Sequence, residues 1–239
     1  MTQLRTVSLT WPKLVVFGLV VALLGAGGGW LASWATMGKV VHSYVLEHPE
    51  ILPQAMENLR KNDDAKQLAG VRGDIEKPFP GAILGNPNGK VVVVEFADYA
   101  CGYCKRSVAD LNALIAENPN IKVVMRELPI LSPQSADAAK MAMAAAEQGK
   151  YSAFHSAMYE IGKPDTQTIE AAAKAAGMDL ERARLTIADP RLEAEIDRNM
   201  GSARQLGFQG TPSWVIGERL LSGAVGKDAL ASAIADAKT

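Results

Sequence analysis

Along the chain the spacing of apolar positions changes several times, and each change marks a different element. From Leu14 to Gly38 no residue is charged and apolar side chains predominate. A run of that length is enough to cross a bilayer as a helix. Trp11, Trp30 and Trp34 bracket it as interfacial tryptophans do, and Arg5 and Lys13 ahead of it predict a cytoplasmic N-terminus with the rest exported. A cleaved signal peptide fits the same residues, with Leu14 to Leu24 as its apolar core and Ser33-Trp34-Ala35 as the cleavage site. Gly25 to Gly29 weakens a helix and keeps that alternative open. Residues 1–38 are thus expected to be an inner-membrane anchor or a signal segment. Either alternative exports the remainder of the chain, which in a bacterium means the periplasm, where protein disulfides persist.

Residues 39–79 read as a helical extension and possible oligomerisation stalk. Val40, Val41, Tyr44 and Val45 share one helical face. His48-Pro49 interrupts, and Ile51, Leu52, Ala55, Met56 and Leu59 then form a second apolar stripe. The following run Arg60-Lys61-Asn62-Asp63-Asp64 reads as a solvated face, and Lys77-Pro78-Phe79-Pro80-Gly81 as a linker. Such a stripe needs a partner: the protein's own domain, the same helix in another subunit, or a membrane surface. The expectation adopted is a homotrimer formed through residues 40–59.

Residues 80–239 read as one α/β domain. Ile83-Leu84 is a short strand, Asn86-Pro87-Asn88-Gly89 a turn, and Lys90 to Phe96 a strand of nearly continuous apolar character. A helix from Lys105 to Ile115 follows, with Val108, Leu111 and Ile115 at spacings of three and four. The next strand is Ile121 to Glu127, which implies a parallel strand–helix–strand unit with a right-handed crossover. A wholly helical block spans about 132–207, with stops at Gly149, Gly177, Asp189-Pro190 and Gly207. Ser213 to Ile216 is a strand, Gly217-Glu218 turns into Arg219-Leu220-Leu221, and Lys227 to Ala237 is a terminal helix. A proline at the mouth of a core strand, Pro212, cannot donate to the ladder. A cis peptide that leaves neighbouring backbone groups free for a ligand would explain it, and an ordinary trans turn is the alternative.

The charge balance, 25 basic against 26 acidic residues, gives no basic surplus for a nucleic-acid partner. The chain has two cysteines, so it is no disulfide-rich scaffold. They fall together, in Cys101-Gly102-Tyr103-Cys104, where a strand hands over to a helix. There the free N–H groups of the first turn and the positive end of the helix dipole favour a thiolate. That is the setting of a redox Cys-x-x-Cys pair, with Cys101 as nucleophile and Cys104 as the buried resolving thiol. A structural disulfide would close only a very short loop and restrain the unfolded chain little. Half a zinc site would need two more ligands from His42, His48 and His155, and the first two lie in the separate upstream segment. All three histidines read as structural or surface residues, and no metal or other cofactor is expected. Lys105 and Arg106 add positive charge near the pair, or simply form a solvated helix face.

With Phe96, Asp98 and Tyr99 before the dithiol and Gly210-Thr211-Pro212-Ser213-Trp214-Val215-Ile216-Gly217 after it, residues 80–237 resemble the DsbA family of thioredoxin-fold proteins. The helical block fits the insertion that this family carries. The segment Tyr44 to Pro53 is similar to the N-terminal part of ScsC-type and Com1-type members, some of which oligomerise through it and include disulfide isomerases. The resemblance implies that Thr211-Pro212 faces the disulfide and presents backbone to substrate. It also implies that Glu95 is the acidic residue beneath the active site that moves the proton of the inner cysteine. Otherwise Glu95 is a solvated residue at the strand end. Two departures stand out: Gly102-Tyr103 lies between the cysteines where the prototype has Pro-His, and Thr211 precedes the proline where the strong oxidase has valine. Both argue against a strongly oxidising potential.

The function expected is therefore a periplasmic thiol–disulfide oxidoreductase, forming or isomerising disulfides in unfolded or misfolded exported proteins. A membrane redox partner would restore its dithiol. A non-catalytic chaperone or scaffold on the same fold is one alternative, and a thiol protein handling Cu(I) through both thiolates is another.

Overall fold

The structure, a computed structural model, describes residues 11–237, apart from the side chains of Lys13 and of residues 25–36. Arg5, and the side chains of Lys13, Trp30 and Trp34 on which the anchor expectation leans, lie outside the described residues. The chain divides into two compact units, residues 1–59 and 60–239.

The first unit contains helix α1 (Trp11–Glu47) and the start of α2 (Ile51–Ala69). The break falls at His48-Pro49, because a residue before proline is driven out of the helical region. Among the described residues no helix is long and apolar enough to cross a membrane. The spanning anchor expected over Leu14–Gly38 therefore finds no support there. The two stripes hold in outline, and Val40, Val41, Tyr44, Leu52, Met56 and Leu59 are all exposed.

The second unit starts at Arg60, ahead of the boundary expected at residue 80. The reason is packing. Leu68, Val71 and Ile75, at spacings of three and four across the end of α2 and the short α3 (Arg72–Ile75), are buried in one of the unit's two cores. The sheet has five strands: β1 (Ile83–Gly85), β2 (Val91–Ala97), β3 (Ile121–Glu127), β4 (Ser213–Ile216) and β5 (Arg219–Ser222), in the order β1-β3-β2-β4-β5. β2 and β3 run parallel, and the other pairings are antiparallel. Helix α4 (Gly102–Glu117) makes the crossover between β2 and β3. The thioredoxin-like α/β architecture is thus the one expected.

Alternation decides which side each strand residue faces. Val91, Val93 and Ala97 of β2 and Ile121, Val123 and Met125 of β3 enter the larger core, with the helical block and the cysteines. Val94, Phe96 and Val124 enter the smaller core on the opposite face, with Leu68, Val71, Ile75 and Phe208. The block itself is five helices: α5 (Pro133–Glu147), α6 (Tyr151–Ile161), α7 (Thr166–Ala175), α8 (Leu180–Ile187) and α9 (Pro190–Gln205). Ser132, Asp165, Asp179 and Asp189 cap α5, α7, α8 and α9 through their side chains. Buried alanines along α5, among them Ala138, Ala142 and Ala145, let its neighbours approach closely. At Gly81 (φ 88°) a β-carbon would sit 2.3 Å from the Ala146 carbonyl oxygen, so only glycine lets the approach to β1 pass under the end of α5. The terminal helix α10 (Lys227–Asp236) completes the unit.

On the smaller-core face, Arg126 of β3 is held by a charged and polar cradle. Its guanidinium donates to Glu195 Oε1 at 2.7 Å, Asn199 Oδ1 at 3.1 Å and the Ile75 carbonyl at 3.0 Å. It also donates to the carbonyls of Asp74 and Lys77. Burial of the charge is thereby matched by a full set of acceptors.

Candidate active site

β2 ends at Ala97 and the chain turns immediately. Asp98 shapes the turn: its Oδ1 accepts from the Ala100 N–H at 2.7 Å, and its carbonyl accepts from the Cys101 N–H at 3.0 Å. Cys101 becomes the N-cap of α4, in extended geometry (φ −81°, ψ 115°). Its sulfur accepts from the Cys104 N–H at 3.4 Å. The thiol thus occupies the anion-favouring position at the head of a helix. Cys104 lies one turn further in and is 1% exposed, against 6% for Cys101. Burial pushes the Cys104 thiol well up, and the Asp98 backbone and the Thr211 side chain oppose this only partly. The two sulfurs are unbonded thiols.

Thr211 reaches the cysteines from the mouth of β4. The Thr211–Pro212 peptide is cis, and the Cys101 thiol donates to the Thr211 carbonyl at 3.1 Å. The Pro212 carbonyl accepts from the Gly223 N–H at 2.7 Å, and Ser213 Oγ donates to the Gly210 carbonyl at 2.7 Å. Gly210, Thr211, Ser213, Ser222 and Gly223 line a groove beside this turn. An extended chain laid there could pair with backbone as an added strand does.

Glu95 is 3% exposed, so the alternative of a solvated strand-end residue does not hold. Its neighbours across the sheet are Met125 on β3 and Trp214 on β4, neither of which carries charge. Burial, then the charges of Glu127 and Cys101, raise its pKa from 4.5 to about 8. Glu127, at the end of β3, is raised to about 8 chiefly by burial, and the Tyr151 hydroxyl donates to its Oε1 at 2.7 Å. Helix α6 supplies the rest of the chamber. Tyr159 donates to the Asp98 carbonyl at 3.1 Å, and the Tyr99 hydroxyl lies 3.4 Å from His155 Nδ1. His155 is buried against Tyr99 and Tyr159, not at the surface, and burial lowers it from 6.5 to about 4. It is therefore neutral at physiological pH. His42 is exposed and His48 half-buried in the first unit. Among the described residues no group of three or more His, Cys, Asp or Glu side chains is placed to hold a metal.

Around the mouth the surface is apolar. Tyr103 (58% exposed), Ile130 and Leu131 project from it. Asp98 Oδ2 accepts from the backbone N–H groups of both Ile130 and Leu131 at 2.9 Å, tying that loop to the cysteine turn. Arg106 and Lys105 are exposed, and the Arg106 guanidinium sits 4.4 Å from the Tyr103 ring centroid. Sequence reasoning singled out Cys101, Cys104, Glu95, Thr211 and Pro212, and the fold brings all five together. Glu127 and Tyr151 are site residues that this reasoning does not single out. The missed signal was strand alternation: Glu127 lies an even number of residues from Val123 and Met125, so it shares their inward face.

Comparisons with known proteins bear out the thioredoxin-like fold that carries this site. Residues 92–235, well over half the chain, match the model of the DSBA-like thioredoxin domain, and residues 35–66 match the copper resistance protein ScsC N-terminal domain. A thioredoxin-like oxidoreductase from Silicibacter pomeroyi DSS-3 is 41% identical, with a TM-score of 0.63 over 65% of this chain and 91% of that one. The thiol-disulfide exchange protein alpha-DsbA2 from Wolbachia pipientis is 30% identical, with a TM-score of 0.67 over 74% of this chain and 97% of that one. The catalytic domain of Proteus mirabilis ScsC is 27% identical, with a TM-score of 0.65 over 72% and 97%. The chain spans about a quarter (24%) of the length of the curated relatives it matches, among them the Na(+)/H(+) antiporter NhaA 3 of Salinispora tropica, 29% identical over 161 residues. The cysteine turn, the adjoining proline and the family match over residues 92–235 lead to one conclusion: the chain belongs to the DSBA-like thioredoxin-domain family and carries an ScsC-type N-terminal segment.

Proposed function

We propose that this protein is a thiol–disulfide oxidoreductase acting on exported proteins, through the Cys101–Cys104 dithiol. The observation that carries the reading is the placement of the Cys101 sulfur. It caps α4, faces the Thr211 carbonyl beside Pro212, and has a second thiol beneath it.

In the reducing or isomerising direction the Cys101 thiolate attacks a substrate disulfide. A Cys101–substrate bond forms, and the other substrate sulfur leaves as a thiolate. Cys104 then loses its proton, with Glu95 as acceptor, and its sulfur displaces the substrate from Cys101. In the oxidising direction the same steps run in reverse from the Cys101–Cys104 disulfide. Thr211 and Pro212 hold the substrate backbone across the Cys101 sulfur, and Ile130, Leu131 and Tyr103 offer apolar contact to unfolded segments.

Export is part of this reading, supported by the apolar run and its flanking basic residues, and it places the domain in the periplasm. A membrane redox partner resets the dithiol. The exposed stripes over residues 40–59 support assembly into a homotrimer, in which several dithiols probe one misfolded chain at high effective concentration. The deciding experiment measures the reduction potential of the Cys101–Cys104 couple alongside refolding of a scrambled-disulfide protein. A potential in the range of known exchange proteins, with recovery of native pairing, supports the reading; no turnover of any disulfide substrate sinks it.

A further inference from the structure

The larger core holds two carboxyls, Glu95 at 3% and Glu127 at 4% exposure. In the parallel ladder Glu95 stands opposite Met125, and Glu127 opposite Ala97, two positions along. The two glutamates are therefore diagonal neighbours on one face of the sheet. Across from Glu127 stands only the methyl group of Ala97. Among the described residues no cation faces them. Arg126, between Met125 and Glu127, points to the opposite face, where Glu195 and the carbonyls of Asp74, Ile75 and Lys77 use it. The titratable groups that do face the pair are Tyr99 and Asp98 on the cysteine turn, Cys101 and Cys104 at α4, and Tyr151, His155 and Tyr159 on α6. None is positively charged at neutral pH, since burial keeps His155 neutral.

We propose that Glu127 is the proton-sharing partner of Glu95, so that two buried carboxyls, positioned by the Tyr151 hydroxyl, take up and return the Cys104 proton as one unit. Two carboxylates cannot both stay ionised in a buried site without a cation. Among the described residues hydrogen-bond donation to the pair goes to Glu127, from the Tyr151 hydroxyl at 2.7 Å and more weakly from Tyr99. It favours the charge on Glu127 and leaves Glu95, nearer the sulfurs, to carry the mobile proton. The inference rests on the oxidoreductase reading and extends it. In the resolving step the Cys104 S–H bond breaks and its proton goes to Glu95, which hands the proton it held to the Glu127 carboxylate. The sulfur electron pair forms the bond to Cys101, the Cys101–substrate bond breaks, and the substrate departs as a thiolate. Glu127 touches no reacting atom and is a positioning residue: its charge sets how firmly Glu95 holds the proton.

The test uses the full chain with ¹³C-labelled glutamate carboxyls, followed by NMR against pH. In parallel, the pH profile of Cys104 attack on a glutathione mixed disulfide at Cys101 is recorded. The wild type should show two coupled steps. In Glu127→Gln one remaining carboxyl should titrate lower by roughly one unit or more, and the kinetic profile should move with it. Glu127→Asp should restore two steps. Tyr151→Phe, which deletes only the stronger donor, should raise the lower step, and it keeps the test decisive if Glu127→Gln does not fold. A Glu95 titration unmoved in Glu127→Gln, or a lower step unmoved in Tyr151→Phe, overturns the pair. A wild type that exchanges no disulfide sinks the oxidoreductase reading separately, while the NMR arm still decides whether the acids share a proton.

Discussion

The Cys101 sulfur lies 3.1 Å from the carbonyl oxygen of Thr211, 110 residues away in sequence. Two segments that the whole helical block separates thus meet at one atom. The contact sets a backbone acceptor directly beside the sulfur, so under the proposed function a substrate chain bound at Thr211 would already be aligned with Cys101.

Cys101→Ser should abolish turnover, and Cys104→Ala should accumulate mixed disulfides through Cys101, detected by mass on non-reducing gels. Glu95→Gln should slow the Cys104 step more than the Cys101 step, by about 10²–10⁴-fold if the carboxyl acts as a general base. Equal slowing of both steps would make Glu95 structural only.

Stability should depend on pH in an unusual way. Glu95 and Glu127 bind protons more tightly folded (about 8) than unfolded (4.5), so their contribution falls as pH rises between those values. His155 runs the other way, losing stability as pH drops from 6.5 to about 4. One group contributes at most about 1.4 kcal/mol per pH unit. Two acids oppose one imidazole below 6.5 and act unopposed above it, so the decline should steepen near pH 6.5. Urea unfolding of the reduced protein at several pH values checks this. Glu127→Gln should flatten the decline, and His155→Phe should steepen its lower half.

Arg126→Met should destabilise the protein by about 1–3 kcal/mol, because the buried carbonyls of Asp74, Ile75 and Lys77 lose their donor and Glu195 keeps only Arg198. The double variant Arg126→Met with Glu195→Leu should recover part of that loss in the same denaturation assay. A single variant as stable as the wild type would show the cradle to be dispensable.

If residues 40–59 assemble subunits, the combined substitution Leu52→Glu, Met56→Glu and Leu59→Glu in the full chain should dissociate them. Light scattering should report a trimer for the parent and a monomer for the variant. Dithiol oxidation should survive while shuffling of scrambled disulfides falls. A parent that is monomeric at high micromolar concentration would overturn the assembly.

Much of this was legible in the residues. The strand leading into Cys101, the helix carrying Cys104 and the parallel partner Ile121–Glu127 all follow from apolar spacing and turn residues. The five helices of the insertion stop at Gly, Asp or Pro signals that need no tertiary context. What stayed hidden depends on which layer covers which face. β2 and β3 are apolar on both sides, so alternation sets Glu127 and Arg126 on opposite faces but does not say which face the helical block and the cysteines cover. The charged run from Arg60 to Asp64 also masked Leu68, Val71 and Ile75, whose spacing marks a core face once a sheet is there to receive it. His155 was lost among three histidines because its burial comes from aromatic neighbours on a helix and on a distant turn.

Leu68, Val71 and Ile75 pack on the sheet face turned away from the cysteines, and Arg126 grips the carbonyls of Asp74, Ile75 and Lys77 on that same side. Any tension arriving along the N-terminal chain is therefore absorbed by the rear of the domain. Force runs into the smaller core and the guanidinium clamp, and the strands shield the cysteine turn from the load. A protein pulled from that end should lose its rear packing before its thiols shift.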